Sequence, residues 1–600
     1  MEKKQLSSIL DGKVFRIPDY QRGYAWEEKQ WNDFVEDIDT LIDDKINSHY
    51  TGTIVIFQAN TKVTDTYGTK RLEIVDVVDG QQRLTTCSLY LSIILNKLIV
   101  LGSSDYSVEV INYLYHGTKT KLQLNNDTAS CYYDLITKGN INIEVYSVHQ
   151  KRIVEAYNYL QGHIESKCSS LGDNQVKYLE DLYDAIIRKL NFSFYAIELE
   201  SEIGMTFELM NSRGKGLSSL ELLKNYFMYW IYRNINETAE KEDFTNIVNK
   251  TWKDVFINIT KCNGDEDQCL RIVWTLLIDH VRKNWNGYNG FKSDKVIPIR
   301  HFIKKSQEET KKLLEKIIKV LSIVSLHYSQ IIRPTEENCS TSEYKQLMKI
   351  RRAGNIATYL PLLVAARIRF SMNKVEEKEY ISLLAAIEKF TYRVFLIEGK
   401  RSNAAISSFH SWAWGLYHKN YDINYIVKDI LGTINYYSNE DSFRNWLLKE
   451  TDNWYKVYNR ALKYTLYEYE LHLLETEGKG VKPKLSWASI SDSTIEHILP
   501  QNPEKNSKWR EAWSKEDIKS YLHDISNLVL TNDNSHYKNF EFEVKKGKPG
   551  GGHCYANSDI REERKISEYK NWDKASCDKR RRELVDWIIS RWGVKENVAK

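Results

Sequence analysis

From about residue 150 to residue 470, apolar residues recur at helical spacing almost without a break, so this part of the chain can only fold as packed helices. Leu313 to Leu326 and Tyr380 to Ile397 are clear examples. Only 8 prolines and 27 glycines occur in 600 residues, which excludes collagen-like and linker-dominated architectures. With 42 % hydrophobic and 28 % charged residues, the composition is globular. At roughly 150 residues per domain the length suggests about four domains, and two or three are ordinary. Lys+Arg 85 against Asp+Glu 81 leaves a net charge of +4, so any nucleic-acid contact must come from local patches. The 8 cysteines are scattered with no CxxC, and Cys262 and Cys269 lack a matching His pair, which argues against zinc and suits a reducing, cytoplasmic location. No apolar h-region follows Met1, and the run Leu89 to Leu101, interrupted by Asn96 and Lys97, reads as too short to span a bilayer. No membrane partner is therefore expected.

The first 100 residues read as mixed α/β. Trp31, Phe34, Val35, Ile38, Leu41 and Ile42 predict an amphipathic helix over roughly 27–44. Thr53 to Phe57 and Arg71 to Val78 predict strands, and Asp79-Gly80 breaks the second before a long helix from Gln81. Glu475 to Pro483 is polar, with two Gly and one Pro, and reads as a linker. Beyond it, Thr494–Ile498 and Asn527–Thr531 predict short strands among helices.

Three loop-to-helix junctions in the N-terminal part carry chemistry. A helix start leaves N–H groups unpaired at the positive end of the dipole, where phosphate fits. At Asp79-Gly80-Gln81-Gln82-Arg83, Gly80 permits close backbone approach, Arg83 can fork onto phosphate oxygens, and Asp79 could hold Mg²⁺ or polarise a water. Taken alone, the same string reads as a plain strand-to-helix turn with Arg83 paired to an acidic neighbour. Ile17-Pro18-Asp19-Tyr20-Gln21-Arg22-Gly23-Tyr24-Ala25-Trp26 is rich in stacking and anion-binding side chains, and only Ile17 in it is plainly core-forming. Asn211-Ser212-Arg213-Gly214-Lys215 runs into a helix carrying Lys224.

In the C-terminal part, Glu496-His497 sits among apolar residues at a strand end. It is followed by Asn527 on a second strand, then by Asn534, His536, Asn539, Phe542 and Lys545. A lone His there is also a common core residue. Two strands then a helix, bearing Glu-His, Asn and Asn, is the arrangement of an HNH (ββα-metal) nuclease. Neutral His497 would take a proton from water, worth roughly 10²–10⁴-fold. Glu496 and Asn534 are the candidate ligands for Mg²⁺ or another divalent cation, with His536 an alternative to Asn534. Asn527 would hold the loop that orients His497. The run Lys579-Arg580-Arg581-Arg582 is either a DNA grip or a solvated helix face.

Taken in order, Tyr20-Gln21-Arg22, Gly52-Thr53-Ile54, Asp79 to Arg83 and Asn211 to Gly214 with Lys224 resemble the GmrS-type N-terminal domain of GmrSD modification-dependent (type IV) restriction enzymes. That domain is ParB/sulfiredoxin-related and shared with phosphorothioate-sensing SspE proteins. Ile495 to Gln501, Asn527-Leu528, Asn534, Asn539 and Phe542 to Lys545 resemble the GmrD-type HNH domain, with Ser526 where that family usually has Gly. The resemblance implies an α+β multidomain fold: a ParB/sulfiredoxin-like domain over 1–235, a helical domain over 236–474, a linker over 475–484 and an HNH domain over 485–600. It implies a nucleoside triphosphate held by Tyr20, Gln21, Arg22, Asp79, Gly80, Gln81, Gln82, Arg83, Asn211 and Lys224. No Walker A string occurs, so any NTPase here is not a P-loop enzyme. It further implies NTP-dependent cleavage of modified phage DNA, such as DNA with glucosylated hydroxymethylcytosine, in antiviral defence. A phosphorothioate-sensing nickase and a non-catalytic NTP-switched DNA clamp stay open, as do an RNA substrate and a homodimer.

Overall fold

The computed structural model describes residues 2–594 apart from 19–22, 45, 59–62, 125–127, 140–142, 144, 146, 198–217, 294–295, 298–306, 449–453, 478–482 and 533. The chain is α+β and multidomain, mostly helical with a small mixed sheet near the N-terminus. It divides into two compact units, Met1–Asp279 with Lys283–Arg333, and His280–Arg282 with Pro334–Lys600. The helices expected to form one middle domain over 236–474 are thus shared between the units.

The sheet of the first unit begins with β1 (Glu2–Gln5), β2 (Lys13–Arg16), β3 (His49–Phe57), β4 (Thr64–Tyr67) and β5 (Lys70–Asp79). A hairpin of β6 (Tyr115–His116) and β7 (Lys119–Thr120) precedes β8 (Leu122–Gln123) and β9 (Leu190–Ile197). The strand order is β1-β9-β3-β5-β2-β8, with β4 on β5. β9 runs parallel to β3, while β3 and β5 are antiparallel. Ile54, Ile56, Val75 and Val77 turn from the sheet into the main core. The helix Glu28–Asp43 buries Trp31, Phe34, Val35, Ile38 and Leu41 there, the face its spacing predicts.

The helix Gln81–Val100 runs through that core. It is long and apolar enough to cross a membrane, with a mean hydropathy of 1.3 in its most apolar window, which the reading of Leu89 to Leu101 alone missed. Of that window 72 % is buried against the protein itself. Leu84, Leu91, Ile94, Leu95 and Leu98 pack with the sheet and the surrounding helices. Tyr24 was not expected in the core, yet it is buried and hydrogen-bonds Thr86 at 2.8 Å and the Trp31 indole at 2.9 Å.

In the second unit the expected helix over Tyr380 to Ile397 is Glu377–Phe390 continued by a wider turn, Thr391–Ile397. Near the C-terminus β10 (Ile495–His497) and β11 (Leu528–Leu530) pair antiparallel, Glu496 opposite Val529. Short helices Asn534–Tyr537 and Phe542–Lys546 follow. The last long helix, Lys574–Trp592, packs Leu584, Val585, Ile588 and Trp592 into the core behind this hairpin.

That helix corrects the reading of the basic run. Arg580 and Arg581 are buried, while Lys579 and Arg582 are exposed. Arg580 donates to the carbonyls of Ile525 at 3.3 Å, Leu528 at 2.8 Å and Ser526, and pairs with Glu562 at 2.5 Å. Arg581 pairs with Asp524, Nη2 to Oδ2 at 2.9 Å. Both guanidiniums therefore pin the segment that leads into β11. Ser526, where glycine is usual in the resembling family, has no left-handed backbone and lends its hydroxyl to Asp524, so the turn needs no glycine.

Removing one partner of a buried ion pair leaves a charge uncompensated, at a cost of about 3–5 kcal/mol. Arg581→Ala and Arg580→Ala are therefore expected to destabilise the C-terminal unit by that order, whereas Lys579→Ala and Arg582→Ala stay within about 0.5 kcal/mol of the parent. Urea unfolding followed by circular dichroism reads the difference, and equal effects at all four positions would contradict the pinning role.

Candidate functional sites

The first site forms where β5 gives way to the helix Gln81–Val100. Gly80 occupies the N-cap position with φ +98°, a left-handed conformation that favours glycine. A Cβ at Gly80 would lie 3.0 Å from the Thr53 carbonyl oxygen and 3.2 Å from Ile54 Cα, because the turn is drawn against β3. No side chain caps this helix start. Its first N–H groups and positive dipole end are thus directed at whatever anion approaches.

Arg83 reaches back across β3, where Nη1 donates to the Thr53 carbonyl at 3.3 Å. The strand makes room for it: the β3–β9 register shifts between Tyr50 and Gly52, and Gly52 has φ +127°. A Cβ on Gly52 would stand 2.7 Å from Arg83 Nε. Gly52, Gly80 and Arg83 are thus one constellation, and Asp79 is half-buried at its strand end beside it.

Gln82 has a different task from the one expected. It is 8 % exposed; its Oε1 accepts from Ala25 N at 2.7 Å, and its Nε2 donates to Gly23 O at 3.2 Å. It therefore fastens Gly23 and Ala25, which follow Tyr20, Gln21 and Arg22 in sequence, to the helix start. Those three residues and Asn211 lie outside the described residues. Gln81 is half-buried as the first helical residue, and Lys224 is half-buried on the helix Ser219–Asn234.

The second site lies on the β10–β11 hairpin. Successive strand residues face opposite ways, so Glu496 and His497 part company although adjacent in sequence. The Glu496 carboxylate, on a side chain 3 % exposed, accepts from Lys545 Nζ at 2.5 Å and the Tyr555 hydroxyl at 3.2 Å. Lys545 also donates to the carbonyls of His497 at 2.9 Å and Ile498 at 3.1 Å. Burial pushes the Glu496 carboxyl up and the Lys545 ammonium down, and each holds the other in its charged form.

Asn534 donates its amide to the Ile495 carbonyl at 3.0 Å. His536 turns to His553, with Nε2 3.1 Å from the His553 carbonyl oxygen. Among the described residues no group of three His, Cys, Asp or Glu side chains converges. The position next to Glu496 belongs to an ammonium, so Glu496 and Asn534 as arranged do not fit a divalent cation. The expected convergence of Glu496, His497 and Asn534 on one ion is not what the structure brings together.

His497 is 5 % exposed, and its two ring nitrogens face two partners. Gln501 Nε2 is 3.3 Å from Nδ1, and His523 Nδ1 is 3.1 Å from Nε2. The Tyr455 ring covers both imidazoles, edge-on to His497 at 4.6 Å and stacked on His523 at 5.5 Å. Burial first, then His523 and Lys545, push the His497 imidazole down to about 3, so it is neutral at pH 7 and keeps a lone pair.

Asn527 fixes the strand end. It is fully buried; its Oδ1 accepts from Leu499 N at 2.7 Å and Trp572 Nε1 at 3.1 Å, and its Nδ2 donates to Leu499 O at 3.1 Å and Leu522 O at 3.0 Å. It holds the turn two residues beyond His497 and leaves the ring to Gln501 and His523. Sequence reading missed His523 and Tyr455, and gave Gln501 only as the last residue of a motif, without a role. Only the proximity of His523 to Asn527 in the chain hinted at one of them.

A family model for the N-terminal domain of GmrSD restriction endonucleases matches residues 3–228, and one for the C-terminal domain of GmrSD restriction endonucleases matches residues 437–587. The first match contains Gly52, Gly80 and Arg83, and the second contains the whole β10–β11 site. A search of curated proteins found no match.

If Lys545 is the counter-ion of Glu496, each single loss strands a buried charge. Lys545→Met and Glu496→Gln are expected to lower stability by about 3–5 kcal/mol, read by thermal unfolding. A Glu496→Gln protein that melts like the parent but needs far more Mg²⁺ for activity would instead make Glu496 a metal ligand.

Proposed function

The chain belongs to the GmrSD restriction endonuclease family, and from that premise we propose that it hydrolyses phosphodiester bonds in modified phage DNA with His497 as general base, under control of a nucleoside triphosphate held at the Gly80–Arg83 helix start. The observation that carries the nuclease half is a neutral, buried imidazole at the end of β10, on a turn saturated by Asn527. In that reaction the imidazole would take a proton from a water whose oxygen bonds phosphorus as the P–O bond to the leaving oxygen breaks. Two antiparallel strands followed by helices, with the Asn on the second strand and His497 on the first, support an HNH reading.

The residues at the N-terminal site fit a triphosphate. An uncapped helix start offers N–H donors, Gly80 admits close approach, and the Arg83 guanidinium lies beside it over the Gly52 bulge. When bound, the nucleotide would supply a hydrolysable phosphoanhydride. By resemblance Tyr20, Gln21, Arg22, Asn211 and Lys224 complete its binding, and Gln82 holds Gly23 and Ala25, just after the first three in sequence. The family match supports defence against phage DNA with altered bases, glucosylated hydroxymethylcytosine being one candidate.

Modified and unmodified phage DNA are to be incubated with each NTP. Cleavage is expected to favour modified DNA and to depend on NTP. His497→Ala should cut at least about 10²-fold more slowly while still binding DNA, and Arg83→Ala should lose the NTP response. Parental cleavage by His497→Ala removes the base assignment. NTP hydrolysis stimulated by phosphorothioate DNA alone moves the substrate to that class.

A further inference from the structure

Resting on the reading of DNA as substrate, we propose that an open cleft in the second unit binds one nucleotide of a DNA strand turned out of its stack, the base against aromatic rings and the phosphate on lysine ammoniums. The cleft measures about 610 Å³, within the roughly 300–1,000 Å³ usual for small-ligand sites. Three helices wall it, Asn459–Glu477, Arg561–Ser567 and Lys574–Trp592. On the last of them Lys579, Glu583 and Trp587 recur every fourth residue and share one face. The rings gather at one corner: Trp587 lies 4.9 Å from Tyr469 and 5.8 Å from His472, centroid to centroid. Tyr569 is on the lining too, with Lys579 Nζ 5.5 Å from its ring centroid. Lys565 Nζ donates to the Tyr469 hydroxyl at 2.9 Å and stands 4.0 Å from Glu583. Among the described residues no carboxylate pairs with Lys570 or Lys579, so both ammoniums can take a phosphate.

The lining selects the ligand. Aromatic rings offer a surface to any planar base, whatever its identity. A base inside a duplex has both faces covered by its neighbours, so only one out of the stack can use them. The lysines suit the phosphate. Glu568 and Glu583 would repel a long run of phosphates, yet each can accept from the exocyclic amine of a base. A lining of both signs beside aromatic rings thus fits a single nucleotide better than a bare polyanion. The cleft is also tied to the hairpin that bears His497. Lys579 precedes Arg580, which grips the Leu528 carbonyl in β11, and Lys565 lies on the same helix as Glu562, the partner of Arg580. A strand seated in the cleft is therefore held by the same two helices that fasten β11. Lys579, an exposed member of the basic run, takes the ligand-facing part that the buried Arg580 and Arg581 cannot.

Two short fluorescent DNA strands of equal length, one natural and one carrying abasic sugars, are to be bound to the full-length chain without divalent cation. Anisotropy reads the affinity, with melting temperatures alongside. Trp587→Leu is expected to weaken the natural strand about 10- to 100-fold, the order of one stacked base, and to leave the abasic strand unchanged. Lys579→Ala should weaken both strands alike and lower the slope of log affinity against log salt by about 0.7, one phosphate on a single strand. Arg582→Ala, exposed in the same run but outside the cleft, should match the parent. Should Trp587→Leu fail to fold, Tyr569→Leu carries the same comparison. Equal losses on the two strands from the aromatic variant, or equal effects of Lys579→Ala and Arg582→Ala, overturn the proposal. So does a Trp587→Leu protein that loses binding of a free NTP while its DNA affinity stays parental. Parental affinity for both strands in the aromatic variant ends this inference alone, whereas a parent chain that binds neither strand ends the DNA reading with it.

Discussion

A primary amide in a dry interior must satisfy both of its ends, and the second unit is organised around one that does. Asn527 offers two N–H bonds and two oxygen lone pairs, and the structure answers with Leu499 on both sides, Leu522 and the Trp572 indole. An unpaired buried polar group costs about 1–3 kcal/mol, so few arrangements of these segments are tolerated. The chain before β11, the turn after β10 and the segment around Trp572 are tied at one point. His497 is two residues from that point, which gives it a defined place on a hairpin whose strands are only three residues each.

The first unit uses the same device. Gln82 is a buried amide that closes on the Ala25 N–H and the Gly23 carbonyl, joining a loop to the start of a core helix. In both units a buried side-chain amide fastens backbone next to the candidate site: Asn527 as the motif reading expected, Gln82 where that reading had placed it at the nucleotide. This division of labour follows from burial. A side chain engaged with backbone partners has less to offer a ligand, so attention moves to its neighbours: the Gly80 N-cap and Arg83 in one unit and the His497 imidazole in the other.

The elements themselves were readable because their periodicity and their burial agree. Trp31 to Leu41 lie on the core face of their helix, β3 and β5 fall where β-branched runs predict strands, and Asp79-Gly80 ends one of them. What failed were residues whose type says one thing and whose surroundings another. Arg580 and Arg581 look like a solvated or DNA-facing run, and only the carbonyls of the facing segment and the carboxylates of Glu562 and Asp524 explain their burial. Tyr24 looks like a stacking platform, yet Thr86 and Trp31 satisfy its hydroxyl inside the core. No pattern within a short window announces a partner 60 residues away.

Glu496 and His497 show why adjacency in sequence misleads at a site. On a strand, neighbours are the one pair certain to face apart, so a motif that reads as a single cluster is split by the fold into two environments. One face holds a carboxylate neutralised by an ammonium; the other holds an uncharged imidazole among aromatic rings and a second imidazole. The split has a chemical consequence. An unscreened carboxylate close to His497 would favour the protonated ring and remove its lone pair. Lys545 cancels that charge and adds a repulsion of its own toward an imidazolium. The buried ion pair therefore does more than hold the hairpin to the helix Phe542–Lys546. By fixing the sign of the local field it keeps the neighbouring histidine uncharged.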